Sequence, residues 1–100
     1  MIMLTLPIKK KWFDMIKSGE KKEEYREIKP YYTSRFEIYF MAQTLTPSKI
    51  NPILFRNGYR RNSSTIKCDV IITTDYGKEE WGAEPYKLYY VLKILSVEEA

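Results

Sequence analysis

Between residues 19 and 26 the chain reads Gly-Glu-Lys-Lys-Glu-Glu-Tyr-Arg, and two cations and an acid in that stretch suit an anionic ligand. Lys21 carries a compact charge that can meet a phosphate or polarise a carbonyl. Arg26 offers a planar fork for a phosphate or a base edge. Glu24 has three roles open to it: orienting Arg26, accepting from a base amino group, or acting as a general base if burial raises its pKa. A run of charge is ordinarily a solvated face, but two local features argue against that here. Gly19 reads as a left-handed helix cap, so the backbone enters the charges in a fixed direction. If residues 22–28 form a strand, Glu24 and Arg26 share a face with apolar Ile28, which turns that face inward. Residues two apart on a strand are about 6.6–6.8 Å apart along the chain, within reach of an ion pair. Buried charges are costly unless paired in this way. Lys21, in the turn before the strand, is expected to swing over the same mouth.

The elements that must position these groups are legible in outline. Residues 2–6 form a short apolar run ending at Pro7, consistent with a first buried strand. From Ile8 the period changes: Ile8, Trp12, Met15 and Ile16 recur at helical spacing, with Lys9, Lys10, Lys11, Asp14 and Lys17 on the other side. Pro7 suits the helix start and Ser18-Gly19 the stop. Residues 36–41 and 53–56 read as strands, and Asn57-Gly58 marks a turn. Residues 65–74 form the best strand, with Ile66, Cys68, Val70 and Ile72 on one face. Residues 75–85, which include Gly77, Gly82 and Pro85, read as an irregular excursion. Residues 88–95 close the pattern as a strand apolar on both faces, expected at the centre of a sheet. The result is an α+β chain, a small mixed β-barrel of five or six strands with one main N-terminal helix, because closure hides strand edges.

Other side chains offer weaker chemistry. Arg56, Arg60, Arg61 and Lys67 bring four cations around Tyr59 with no acid between them, an arrangement that can stack a base while holding phosphates; a solvated loop after a tight turn has the same composition. Tyr31, Tyr32 and Arg35 can roof a cleft beside residues 19–26 or pack on the barrel. Trp12, on the apolar helix face, reads as core. Trp81 stands among Glu79, Glu80 and Glu84, which offer a catalytic carboxylate but no recognisable metal spacing, and no metal and no cofactor are expected.

The chain has 100 residues, 44% apolar and 30% charged, with a net charge of +4. That length supports a single domain, residues 1–100, burying roughly two-thirds of its extended surface. The interspersed charges exclude wholesale disorder, and the basic balance favours polyanions mildly. There is no histidine, which removes Ser-His-Asp and Cys-His systems and imidazole zinc sites. Cys68 is the sole cysteine; no intrachain disulfide can form, and its place in an apolar alternation marks it as a buried small hydrophobe. Without a signal peptide or a membrane-length apolar run, the chain is expected in the cytoplasm.

Gly19, Lys21, Glu24 and Arg26 reproduce the Gly-x-Lys-x-x-Glu-x-Arg signature of the ASCH (activating signal cointegrator homology) domain, a relative of the PUA fold, and the chain resembles that family. Residues 4–16, strand, proline and helix, resemble the start of the domain, and its length suits one complete copy. Residues 55–59 and 81–85 resemble segments of small bacterial and phage members. The resemblance implies a barrel of five or six strands with an RNA-binding cleft at the signature, and a role in RNA processing or translation-related regulation. Some members are enzymes: ribonucleases, and an amidohydrolase of acetylated cytidine. In that amidohydrolase branch, a threonine nucleophile stands at the position of Glu24, beside the lysine matching Lys21. A carboxylate does not simply replace that hydroxyl. The leading expectation is therefore an RNA- or nucleotide-binding module using Gly19, Lys21, Glu24, Arg26, Tyr59, Arg60 and Arg61. The alternatives are a hydrolase with Lys21 and Glu24 as its catalytic pair, or a protein-interaction domain.

Overall fold

A computed structural model of the chain describes residues 3–45 and 50–100. Its elements run β1 (Leu4–Ile8), α1 (Lys10–Lys17), β2 (Glu23–Glu27), α2 (Pro30–Leu45), β3 (Asn51–Asn57), β4 (Thr65–Tyr76) and β5 (Leu88–Glu99), with a 3-10 turn at Glu79–Trp81 before β5. The five strands form one sheet in the order β1-β3-β4-β5-β2. β1 runs parallel to β3, and the other pairings are antiparallel.

The sheet curls because β5 serves two neighbours. Its twelve residues pair with β4 along their length, and residues 89–93 also pair with β2. The register steps from Asp69 opposite Ser96 to Val70 opposite Ile94, leaving Leu95 as an extra residue, and such a bulge sharpens local bending and twist. Tyr89, Tyr90, Val91 and Leu92 are all buried, as the two-sided apolar pattern of this strand requires. The curl brings the edge strands β1 and β2 toward each other without ladder pairing between them, so the domain is a half-barrel rather than a closed one.

One face of the sheet supplies the main core: Leu6 and Ile8 of β1, Ile53 and Phe55 of β3, Ile66, Cys68, Val70 and Ile72 of β4, and Tyr90 and Leu92 of β5. α1 adds Phe13 and Ile16, and α2 adds Phe36. Fully burying a side chain of this size contributes about 1.5–3 kcal/mol. Burial of Cys68 pushes its thiol up to about 12, which leaves it protonated and unreactive. Among the described residues no helix is long and apolar enough to cross a membrane.

Three expectations are corrected. Pro7 lies inside β1 rather than at a helix start, and α1 begins only at Lys10; proline is tolerated there because β1 is an edge strand. Ile2, placed in this strand from sequence, lies outside the described residues. Residues 36–41 belong to α2, not to a strand. Pro30 occupies the first helical position, and the Lys29 carbonyl accepts from the backbone N–H of Tyr32 and Thr33, a favourable start for a helix. Ile28 falls beyond β2 and is exposed.

Candidate functional site: a cation-centred groove at the sheet seam

The end of α1 fixes where the charges begin. Gly19 takes a φ of +86°, in the region that favours glycine. The chain folds back so that the Lys21 N–H donates to the Met15 carbonyl at 2.9 Å. β2 follows at once and pairs with β5, setting Glu24 opposite Leu92 and Arg26 opposite Tyr90. Strand alternation then aims both side chains at the concave side.

There the three charges converge. Glu24 Oε1 lies 3.1 Å from Lys21 Nζ, and Oε2 lies 2.8 Å from Arg26 Nη2. The Lys21 side chain is wholly buried. Its Nζ also donates to the carbonyls of Glu23 at 2.7 Å and Trp81 at 2.9 Å, and it sits 5.0 Å from the Trp12 ring centroid and 4.8 Å from that of Tyr25. All three ammonium protons are thus matched to acceptors. Burial pulls the Lys21 pKa below its ordinary value of 10.5, and Glu24 opposes that pull. Lys21 is therefore no mobile cation over a mouth. It is a strut that holds Glu24 and pins the excursion before β5 to β2.

Of the two converging cations, Arg26 is the one that reaches the groove. Nη2 donates to the Pro7 carbonyl at 3.0 Å and to Glu24, while Nη1 donates to the Tyr32 hydroxyl at 3.3 Å. Of the five guanidinium N–H groups, these bonds use three. Among the described residues the Nε–H is buried without a partner, and one N–H on Nη1 takes no part in these bonds. Lys21, Glu24 and Arg26 together carry a net charge of +1.

Two recesses flank Arg26. One, of about 300 Å³, is walled by Lys9, Trp12, Glu24 and Gly58 among others. The second, of about 280 Å³, is walled by Leu6, Lys29, Tyr31 and Tyr32. Pro7, Arg26 and Tyr59 line both, so the two are lobes of one groove across the β1–β2 seam. Tyr59 is 88% exposed, so it lines both lobes without being part of the core. A larger, more open recess of about 490 Å³ lies at the start of α2 between Ile28 and Glu37; none of the converging charges reaches it.

The other residues singled out from sequence fall into place around this groove. Gly19 is exposed at the helix end with open space about it, so it shapes the backbone and lines neither lobe. Arg60 and Arg61 are exposed beyond Tyr59 and are not brought to the groove wall. Lys67 pairs with Glu98 at 3.2 Å. Arg56, opposite Pro7 in the register, is half-buried and lines neither lobe. Tyr31 and Tyr32 do wall one lobe, whereas Arg35 lies 3.4 Å above the Tyr31 ring centroid. Trp12 is only half-buried and lines a lobe as well as packing on the core. Trp81 contributes its carbonyl to Lys21 instead of its ring to a ligand. Glu79, Glu80 and Glu84 are exposed away from the groove.

Sequence reasoning missed Pro7, Lys9 and Lys29 as groove residues. Lys9 and Lys29 look like any surface lysine in the sequence, and a backbone carbonyl carries no residue-type signal at all. Among the described residues, no group of three or more Cys, Asp or Glu side chains is placed to hold a metal ion. No family model, curated protein or solved structure matches this chain.

Proposed function

We propose that the chain is a small ASCH-type module that binds RNA in the groove over Arg26. The observation that carries this reading is the groove itself, which combines a partly unspent guanidinium, aromatic rings on both sides and a lysine at each lobe. Single-stranded nucleic acid is held by that combination, with cations following the backbone and rings stacking bases. The curled five-stranded sheet and the early strand-helix succession support the ASCH assignment, as do Gly19, Lys21, Glu24 and Arg26 in their signature spacing. Binding is favoured over hydrolysis because both Glu24 oxygens are already engaged by cations, at 3.1 Å from Lys21 Nζ and 2.8 Å from Arg26 Nη2, which leaves neither free to take a proton from a substrate.

Binding of a fluorescent ten-nucleotide single-stranded RNA, measured across a range of salt, tests the proposal. The affinity should fall with salt at a log–log slope of about −0.7 per phosphate neutralised. Lys9→Ala and Lys29→Ala should each flatten that slope, and Tyr59→Ala should weaken binding at every salt concentration. RNA binding that ignores both salt and these substitutions, or no binding at all, rejects the reading. Cleavage of the RNA that Glu24→Gln abolishes would reassign the groove to a hydrolase.

A further inference from the structure

Resting on that reading, we infer that the groove takes one internal step of a single strand: two bases with their connecting phosphodiester seated at Arg26, in preference to a mononucleotide. Each lobe has its own aromatic wall, Trp12 in one and Tyr31 with Tyr32 in the other, and its own lysine, Lys9 or Lys29. The lobes join at Pro7, Arg26 and Tyr59, which line both. At about 300 and 280 Å³, each is at or below the small end of ligand pockets, room for one base rather than for a chain of them.

The charge at the junction matches a diester. Lys21, Glu24 and Arg26 sum to +1, and Arg26 has one N–H left on Nη1. A phosphodiester carries a single negative charge, whereas a terminal monophosphate carries about −1.5 to −2 near neutral pH. Satisfying the second charge would need a further cation at the junction, and Lys21 is sealed beneath Trp81 and Tyr25. Lys9 and Lys29 stand in the separate lobes, where the flanking phosphates of a longer strand would run.

Calorimetric titration of the wild-type protein with three probes tests this: adenylyl-(3′→5′)-adenosine without terminal phosphate, adenosine 5′-monophosphate, and a ten-nucleotide oligoadenylate. The dinucleoside monophosphate should bind about 5- to 150-fold more tightly than the mononucleotide, the gain expected of a second stacked base. Tyr59→Ala, at an exposed position that leaves the fold intact, should remove most of that advantage. Equal affinity for the two small probes, with the decamer still bound, overturns the two-base step but spares the RNA-binding reading. Failure of both the dinucleoside and the decamer to bind overturns both.

Discussion

Arg26 Nη2 donates to the backbone carbonyl of Pro7 at 3.0 Å, so a side chain from edge strand β2 reaches edge strand β1 where no ladder pairing joins them. The same nitrogen holds Glu24 at 2.8 Å. One guanidinium thus ties the seam of the half-barrel and forms the floor of its groove. Truncating Arg26 therefore removes the contact across the seam and the floor of the groove at once.

Arg26→Met should destabilise the fold by about 2–3 kcal/mol, because it removes the bond across the seam and takes from a buried Glu24 one of its two cations. Urea unfolding monitored by tryptophan fluorescence measures this directly. A loss under about 0.5 kcal/mol would mean that the seam holds without Arg26.

Lys21 predicts an unusual pH trend. Its pKa is lowered in the folded chain, mainly by burial, so between that depressed value and 10.5 the unfolded chain binds more protons than the folded one. Stability linked to this group must then rise with pH across that window. Lys21→Met lacks the group, so its stability deficit relative to wild type should widen as pH climbs toward 10.5. A gap that narrows over that range contradicts the buried-strut assignment.

Two glycines should respond to alanine for different reasons. A Cβ at Gly77 would stand 2.6 Å from Ala83 Cβ and 2.8 Å from the Tyr25 ring, an overlap expected to cost about 1–3 kcal/mol. A Cβ at Gly19 meets nothing within 4 Å, so Gly19→Ala should cost only the left-handed backbone penalty of about 1–2 kcal/mol. Shrinking the neighbour with Ala83→Gly should rescue Gly77→Ala in part and leave Gly19→Ala unaffected. The double-mutant cycles decide the point.

Cys68 should resist thiol reagents until the chain unfolds. Its thiol is raised to about 12 in the fold against about 8.5 in an open chain. Below pH 8.5 the shift has no effect on stability, and above it the unfolded state ionises first, so this group's contribution falls as pH rises. One thiol should react with Ellman's reagent in urea and none in buffer. Prompt reaction of the native protein would show the strand pair β3–β4 to be open.

Much of this molecule can be read from residue order alone, because period and punctuation are local properties. The apolar alternation of Ile66, Cys68, Val70 and Ile72 marks β4, and the two-sided apolar character of residues 89–92 marks the strand with neighbours on both sides. Gly19 marks the end of α1. The pairing of Glu24 with Arg26 also follows locally, since side chains two apart on one strand share a face. Residues 36–41 show where local reading fails. A run of aromatic and aliphatic residues fits a strand or a buried helix equally well, and the decision fell to Pro30, the Lys29 carbonyl and the docking of Phe36 against Tyr90.

What residue order cannot specify is which distant groups surround the charges. Lys21 becomes a strut only because the Trp81 carbonyl, sixty residues away, closes over it. The groove exists only because the curl of β5 brings β2 within reach of Pro7, and because the bend at Gly58 leaves Tyr59 lining both lobes. Spacing along the chain determined the charges and their faces. Tertiary folding decided which of them is sealed and which is offered, since burial is set by the packing of elements that sequence proximity does not connect.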